Sequence, residues 1–303
     1  MIKRTLEIST RGLFLSVEDN QLLLEQKREV LQRVPIEDIG VLILASTATT
    51  YTHAVVARLL AAGAVIVPCG DDHLPCGLIL PQTGSLQTER LGQQVRAKKP
   101  LLKQLWRQLV VAKIRHQAMA LGKDDPVRQG LLEMRKRVRS GDPSNVEAQA
   151  AKRYWKGLFP NDRFRRDRDG PPPNNLLNYG YMALRAAVAR AVAGAGLHPS
   201  IGLHHHNRYN AFCLADDLVE PFRPLVDVTV RRLWASDEGE LDRENRRELL
   251  SVLTAPVRVD DQTGPFMVAL ERMVASLVRC YAGQSKNLEI PEPCSSADTD
   301  ACG

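Results

Sequence analysis

No apolar run in this 303-residue chain is long enough to cross a bilayer. The best candidate, residues 181–197, is broken by Arg185 and Arg190. Nor do the opening residues read as a secretory signal, because Lys3, Arg4 and Glu7 punctuate a strand-like alternation. Both absences lead to the expectation of a cytoplasmic protein without a membrane partner. None of the six cysteines (Cys69, Cys76, Cys213, Cys280, Cys294, Cys302) joins a C-x-x-C pair, which speaks against a structural zinc knuckle. Their scatter suits reduced thiols. The H-E-x-x-H signature of zinc proteases is also missing, and there is no internal repeat.

What the chain does have is positive charge, unevenly spread over a formal net of +6. Residues 1–100 are nearly balanced, with 11 basic and 10 acidic residues. Residues 101–285 hold 29 basic against 21 acidic residues, and 23 of the cations are arginine. The last 18 residues are acidic, with four acids and one base. A basic segment of that kind suits a phosphate-rich partner such as DNA. The plain alternative is a helical domain that prefers arginine on its surface.

Periodicity divides the chain into an α+β arrangement, a small N-terminal β domain followed by a larger all-α C-terminal domain. Residues 1–85 carry short strand-like runs at Thr5–Ile8, Leu13–Val17, Gln21–Leu24, Gly40–Leu44 and Ala64–Cys69. One helix, Tyr51–Ala62, stops at Gly63. Residues 86–100 form a linker or first helix, residues 101–284 the helical domain, and residues 285–303 a tail expected to be disordered. Within the helical domain the spacing predicts helices over Leu101–Leu121, from Pro143 to Trp155, from Asn174 or Asn175 to Ala193, and over Gly264–Tyr281. Phe212–Trp234 is also helical in pattern, but Pro221 and Pro224 must kink or split it.

Three clusters carry residue types suited to chemistry. Glu147 in SNVEAQAAKRYW has small neighbours that let a ligand approach, although a first-turn glutamate also serves the helix dipole. In His204-His205-His206, neighbours in an extended segment point to opposite sides, so the run cannot supply three ligands to one ion. One of these histidines could bind a metal or carry a proton, and a polar surface loop is the bland reading. In LADDLVEPFRP, Asp216 or Asp217 shares a helix face with Glu220. Two carboxylates one turn apart repel unless a cation lies between them, and such hard oxygen donors suit Mg2+ or Mn2+. Arg223 follows closely enough to neutralise a carboxylate or hold a phosphate.

Taken in order, NVEAQAAKRYW, PPPNNLLNYGYMALRAAVARA, GLHHHN and LADDLVEPFRP resemble the CRISPR-associated integrase, the universal first core CRISPR protein, in its type II version and most closely subtype C. The likeness spans residues 5–282. It implies a metal-binding catalytic set of Glu147, His205 and Glu220, with Asp217 as an additional acid. The family's glycine–aliphatic–hydrophobic–His string selects His205 of the three histidines, although position 204 is itself a histidine here. The implied activity is metal-dependent cutting of DNA and joining of a captured fragment's 3′-hydroxyl to a CRISPR repeat by transesterification. The implied partners are double-stranded DNA (captured fragments and the repeat), a second copy of the chain, the small second core CRISPR protein in a heterohexamer-like complex, and the RNA-guided effector nuclease. A stand-alone nuclease of branched or repair-intermediate DNA, or a non-catalytic DNA-organising scaffold, would use the same basic surface.

Arg163, Arg165, Arg166 and Arg168 crowd one loop together with Asp162, Asp167 and Asp169. The functional reading is a loop that orders over DNA phosphates. Its alternative is a mobile segment that neutralises itself.

Overall fold

Alternating apolar residues in the first 70 positions build two sheets of a computed structural model that describes residues 4–71, 76–82, 87–160, 164–235 and 239–294. β1 (Arg4–Ile8), β5 (Ile39–Leu44) and β7 (Val65–Pro68) pair in parallel in the order β1-β5-β7. The return from β5 to β7 is made by α1 (His53–Ala61). β2 (Phe14–Glu18), β3 (Gln21–Gln26) and β4 (Glu29–Pro35) form an antiparallel meander, with the short β6 (Thr50–Tyr51) beside β2. The β2–β3 turn is Asp19-Asn20, both at positive φ (47° and 60°), as its residue types predict. Lys27-Arg28 make the same kind of turn (51° and 70°) between β3 and β4. Nothing in their side chains announces it, and β4 is exposed at nearly every position, so this strand had no signature to read.

β5 is buried along its whole length, and its two faces serve different cores. Leu42 and Leu44 pack with Leu15, Leu22, Ile36, Val55 and Leu59 inside the β-rich part. Val41 and Ile43, with Val65 and Val67, face the helices. The period of two in a strand makes the parallel sheet a wall shared by both parts. Glu7 on β1 adds a polar joint through that wall: its carboxylate meets Arg246 Nε at 3.2 Å and accepts from Tyr179 Oη at 3.2 Å.

The helical part comprises α2 (Gln87–Val95), α3 (Lys99–Met119), α4 (Pro126–Arg135), α5 (Val146–Leu158), α6 (Asn174–Gly194), α7 (Cys213–Val219), α8 (Arg223–Ala235), α9 (Arg243–Ser251) and α10 (Phe266–Tyr281). The alanine-rich α6 runs through its centre and is buried over most of its length. Gly180 permits the crossing of α8, since a Cβ there would lie 2.4 Å from Val226 Cγ1. The two-part division by fold class therefore holds, with three differences. The C-terminal part also contains a small sheet of β8 (Pro256–Val259), β9 (Gln262–Pro265) and β10 (Glu292–Pro293), in the order β10-β8-β9. Residues 285–294, expected to be disordered, are docked: Leu288 N donates to Gln108 Oε1 at 2.8 Å, and Gln108 Nε2 donates to Lys286 O at 2.8 Å. Residues 295–303 of the tail lie outside the described residues. The third difference is two helices with no expectation behind them, α4 and α9.

Candidate active site

α3 organises the site from one stripe. Trp106, Lys113 and His116 follow at spacings of seven and three, which puts them on one helix face. Sequence reasoning named none of the three, because a lysine, a tryptophan and a histidine on an apolar face give no motif.

Glu147 reaches this stripe from α5. Asp142 and Asn145, both in the left-handed region, close the preceding turn. The Asp142 carboxylate accepts from Val146 N and Glu147 N, each at 2.9 Å, and Asn145 caps Ala148 N. The helix therefore starts at Val146 rather than at Pro143, with Glu147 in its first turn. From there one carboxylate oxygen contacts Lys113 Nζ.

Glu220 arrives from the opposite side. Pro221 cannot donate a backbone hydrogen bond, and the chain tightens into a 3-10 turn over Glu220–Phe222 between α7 and α8. This is the split expected from the prolines. Burial pushes the His116 imidazole down to about 4, so the ring is neutral and its Nδ1–H donates to Pro221 O at 2.7 Å, fixing the turn. Glu220 is buried, with Lys113 Nζ 2.6 Å from Oε2 and Arg223 Nε 3.0 Å from Oε1. Burial alone would raise this carboxyl, but Arg223 and Lys113 outweigh it and hold the group down at about 2. The same two carboxylates lift Lys113 above the usual lysine range against its own burial. Lys113 and Arg223 thus balance Glu147 and Glu220.

The histidines hang on Asp217, which is fully buried under their loop. Its Oδ2 accepts from Leu203 N at 2.6 Å and His204 N at 2.9 Å, and its Oδ1 from His205 N at 3.2 Å and the His205 ring, Nδ1 at 2.6 Å. Gly202 makes this approach possible, since a Cβ there would lie 2.5 Å from His205 O and 2.9 Å from Asp217 Oδ2. Hydrogen bonding to Asp217 raises the His205 pKa and occupies Nδ1, and His205 lines the neighbouring cleft. His204 instead stacks flat on Trp106, with centroids 4.3 Å apart and planes 2° from parallel, and burial lowers its pKa. Asp217, proposed from sequence as an additional acid, here spends both oxygens on orienting the loop.

A cleft of about 660 Å3 opens beside His205 and Glu220, lined among others by Arg166, Arg168, Arg185 and Arg223. Arg223 lies 4.5 Å over the Tyr181 ring. Tyr181 and Tyr154 both donate to the buried Asp227, the latter at 2.9 Å. Arg185 pairs with Asp216 at 2.7 Å. Of the predicted arginine loop, Arg163 lies outside the described residues, Arg165 is exposed, and Arg168 is exposed at the cleft. Arg166 is fastened to Asn174 Oδ1 at 2.9 Å and Asn178 Oδ1 at 2.6 Å and sits over Tyr181. Among the described residues no arginine of this loop pairs with a loop aspartate side chain. Arg166 donates to its chain neighbour as well, at the Asp167 carbonyl 2.7 Å away, so it is tied both to its own loop and to α6.

Among the described residues no three His, Cys, Asp or Glu side chains converge into a ready metal cage. Two carboxylates from separate segments do converge on one cation position, which the Lys113 ammonium takes. Glu220 Oε2 accepts no well-directed hydrogen bond there despite the short contact. With His205 adjacent, oriented by a carboxylate as metal-binding imidazoles commonly are, the donor set fits a divalent ion.

By fold, the chain falls in the class of the Cas1-like proteins. It superposes on a casposase bound to integration product with a TM-score of 0.78 at 19% identity, covering 99% of this chain and 98% of that one. A chain of a Cas6-RT-Cas1–Cas2 complex matches with a TM-score of 0.77 at 16% identity, over 97% of this chain and 36% of that one. In sequence, the model of the family described as CRISPR associated protein Cas1 matches residues 6–253. The CRISPR-associated endonuclease Cas1 of Neisseria meningitidis serogroup C (strain 8013) is 37% identical over 298 residues, covering 96% of this chain and 97% of the relative. The chain belongs to the Cas1 family.

Proposed function

We propose that this protein is the integrase and endonuclease of CRISPR adaptation, of the type II-C version, and that it joins the 3′-hydroxyl ends of captured DNA into the repeat array by transesterification. The observation that carries this reading is the convergence of Glu147 and Glu220 on one cation position beside His205, at the mouth of an arginine-lined cleft, in a Cas1-family chain. Glu147, His205 and Glu220 would hold Mg2+ or Mn2+. When bound, such an ion supplies charge for the pentavalent phosphate transition state and lowers the pKa of the attacking hydroxyl.

The chain's own residues set the stage for that chemistry. Asp217 holds His205 in one tautomer, with Nδ1 occupied. His116 locks the turn that carries Glu220, and Trp106 takes His204 out of the cleft. Arg223 and Arg168 face the same space and offer guanidinium groups to phosphate oxygens. Water in place of a 3′-hydroxyl would make the same site an endonuclease. The matched Cas1–Cas2 complex and the name of the Neisseria relative support a small Cas2-type partner and a DNA substrate for this chain. A second copy of the chain and the RNA-guided effector nuclease complete the proposed assembly.

The test is a strand-transfer assay with Mn2+, a repeat-bearing plasmid, and short duplexes with free or blocked 3′ ends. Free ends should be joined and blocked ends left, and Glu147→Ala, His205→Ala and Glu220→Ala should each abolish joining while retaining DNA binding. Cutting without joining would favour the stand-alone nuclease. Activity that survives Glu147→Ala would remove this active site.

A further inference from the structure

One charge of the site has no part in the chemistry above. Lys113 has a side chain only 9% exposed, and among the described residues it is the one cation that touches both Glu147 and Glu220. An ordinary buried ion pair matches one cation to one anion. Here a single ammonium serves two carboxylates brought from different segments, while Arg223 also pairs with Glu220. The four groups form a neutral set that needs no further ion, and it occupies the place between the carboxylates where a divalent ion would go. A dication at that place adds two charges to a balanced cluster and stands beside an ammonium whose side chain, like that of Glu220, is largely shielded from screening water, at 9% and 11% exposed.

The two cations differ in how readily they can give way. Arg223 is pinned twice, by its Nε bond to Glu220 at 3.0 Å and by its position 4.5 Å over the Tyr181 ring. Lys113 has a flexible four-carbon stem and a compact head with no ring beneath it. It approaches Glu220 Oε2 at 2.6 Å, an oxygen that a metal ion held between the two carboxylates would also use.

We propose that Lys113 is a displaceable counter-ion: it gathers Glu147 and Glu220 around one cation position in the metal-free protein and yields that position when a divalent ion binds. This rests on the reading that Glu147 and Glu220 hold the ion. It makes Lys113 a positioning residue and a built-in competitor of the metal. The competition gives the site a threshold, so that it loads only when the divalent ion is abundant enough to displace the lysine.

The experiment uses the full chain and measures Mn2+ affinity by calorimetry and thermal midpoint with and without Mn2+, for wild type, Lys113→Met, Lys113→Arg and Glu147→Gln. Lys113→Met keeps the stem and removes the charge. It should melt below wild type without metal, gain more from Mn2+, and bind Mn2+ at least about tenfold more tightly, roughly 1.4 kcal/mol. Lys113→Arg keeps the competitor and should bind no more tightly than wild type. A folded Lys113→Met with unchanged or weaker Mn2+ affinity would overturn the proposal, because a purely structural lysine cannot tighten metal binding by leaving. Should Lys113→Met fail to fold, Lys113→Gln is read in the same way. Glu147→Gln separates the two levels. If it leaves Mn2+ affinity intact, the metal assignment falls and this proposal with it. If it weakens binding while Lys113→Met does not tighten it, only the displacement falls.

Discussion

Two buried titratable groups near the site pull stability in opposite directions with pH. His116 is held near 4 by burial, below its ordinary value of 6.5, so the native ring stays neutral while the unfolded chain takes up a proton. Its contribution is present at neutral pH and is lost as pH falls from 6.5 towards 4, up to about 3 kcal/mol. His116→Asn can still donate to Pro221 O and should remove that acid-side loss, which leaves the opposing slope of Asp227 and a urea midpoint higher at pH 4.5 than at pH 7. Asp227 behaves in the reverse sense. Burial raises it to about 7 against the two tyrosine hydroxyls, so its contribution is present below the unfolded value of 3.8 and declines as pH rises towards 7. Asp227→Asn should remove that decline and expose the slope of His116, a urea midpoint lower at pH 4.5 than at pH 7. Because the two slopes oppose each other, wild type alone would conceal both, and the single variants reveal them. Asp217 sits at the same scale. Replacing it by Asn sets an amide NH2 against the N–H donors that one carboxylate oxygen now satisfies, so joining activity should fall by about 10–100-fold and the thermal midpoint should fall with it.

At the scale of elements, what the sequence announced and what it hid have separate physical causes. Strands with apolar alternation and the Asp19-Asn20 turn were legible, as were the long α3, α6 and α10, because periodicity and turn chemistry are local. β4 was hidden because an exposed edge strand has no apolar face to display. Glu147 and Glu220 stand across one cation position, Glu147 in a first helical turn as the sequence suggested and Glu220 in a 3-10 turn rather than on the helix face expected for it. The α3 contributions were not legible, since Lys113 and His116 gain meaning only from the oxygens that other segments bring to them. Gly202 marks the limit of motif reading. It looks like a loop glycine, yet a side chain there would strike His205 O at 2.5 Å. Gly202→Ala should therefore cost about 2 kcal/mol by chemical denaturation and disable joining, although the residue carries no chemistry. Arg166→Ala, which frees the 164–173 loop from α6, should expose that loop to proteolysis. Arg168→Ala, at the exposed edge of the cleft, should leave the protease pattern unchanged. It should flatten the salt dependence of DNA binding by about 0.9 for each phosphate that the arginine neutralises in the wild type.

For the whole molecule, the outer sheet leaves Phe14, Val30, Leu31 and Tyr51 between 39% and 58% exposed, with Phe14 and Val30 on one face through their shared neighbour Glu25. Exposed apolar side chains of this kind suit the self-association proposed above. Leu31→Glu should shift light-scattering mass towards the monomer without lowering the melting temperature of the fold. The shared sheet has a further consequence, which concerns the order in which the chain is made. Val41, Ile43, Val65 and Val67 emerge early, but the helix that packs on their strands, α6, comes more than a hundred residues later. Glu7 waits longer still for Arg246. During synthesis the first domain therefore leaves the ribosome with one apolar face bare and a carboxylate without its guanidinium, and it depends on the last third of the chain for completion. A fragment ending at residue 100 should bind a hydrophobic dye and aggregate, and adding residues 101–303 in trans should restore its solubility.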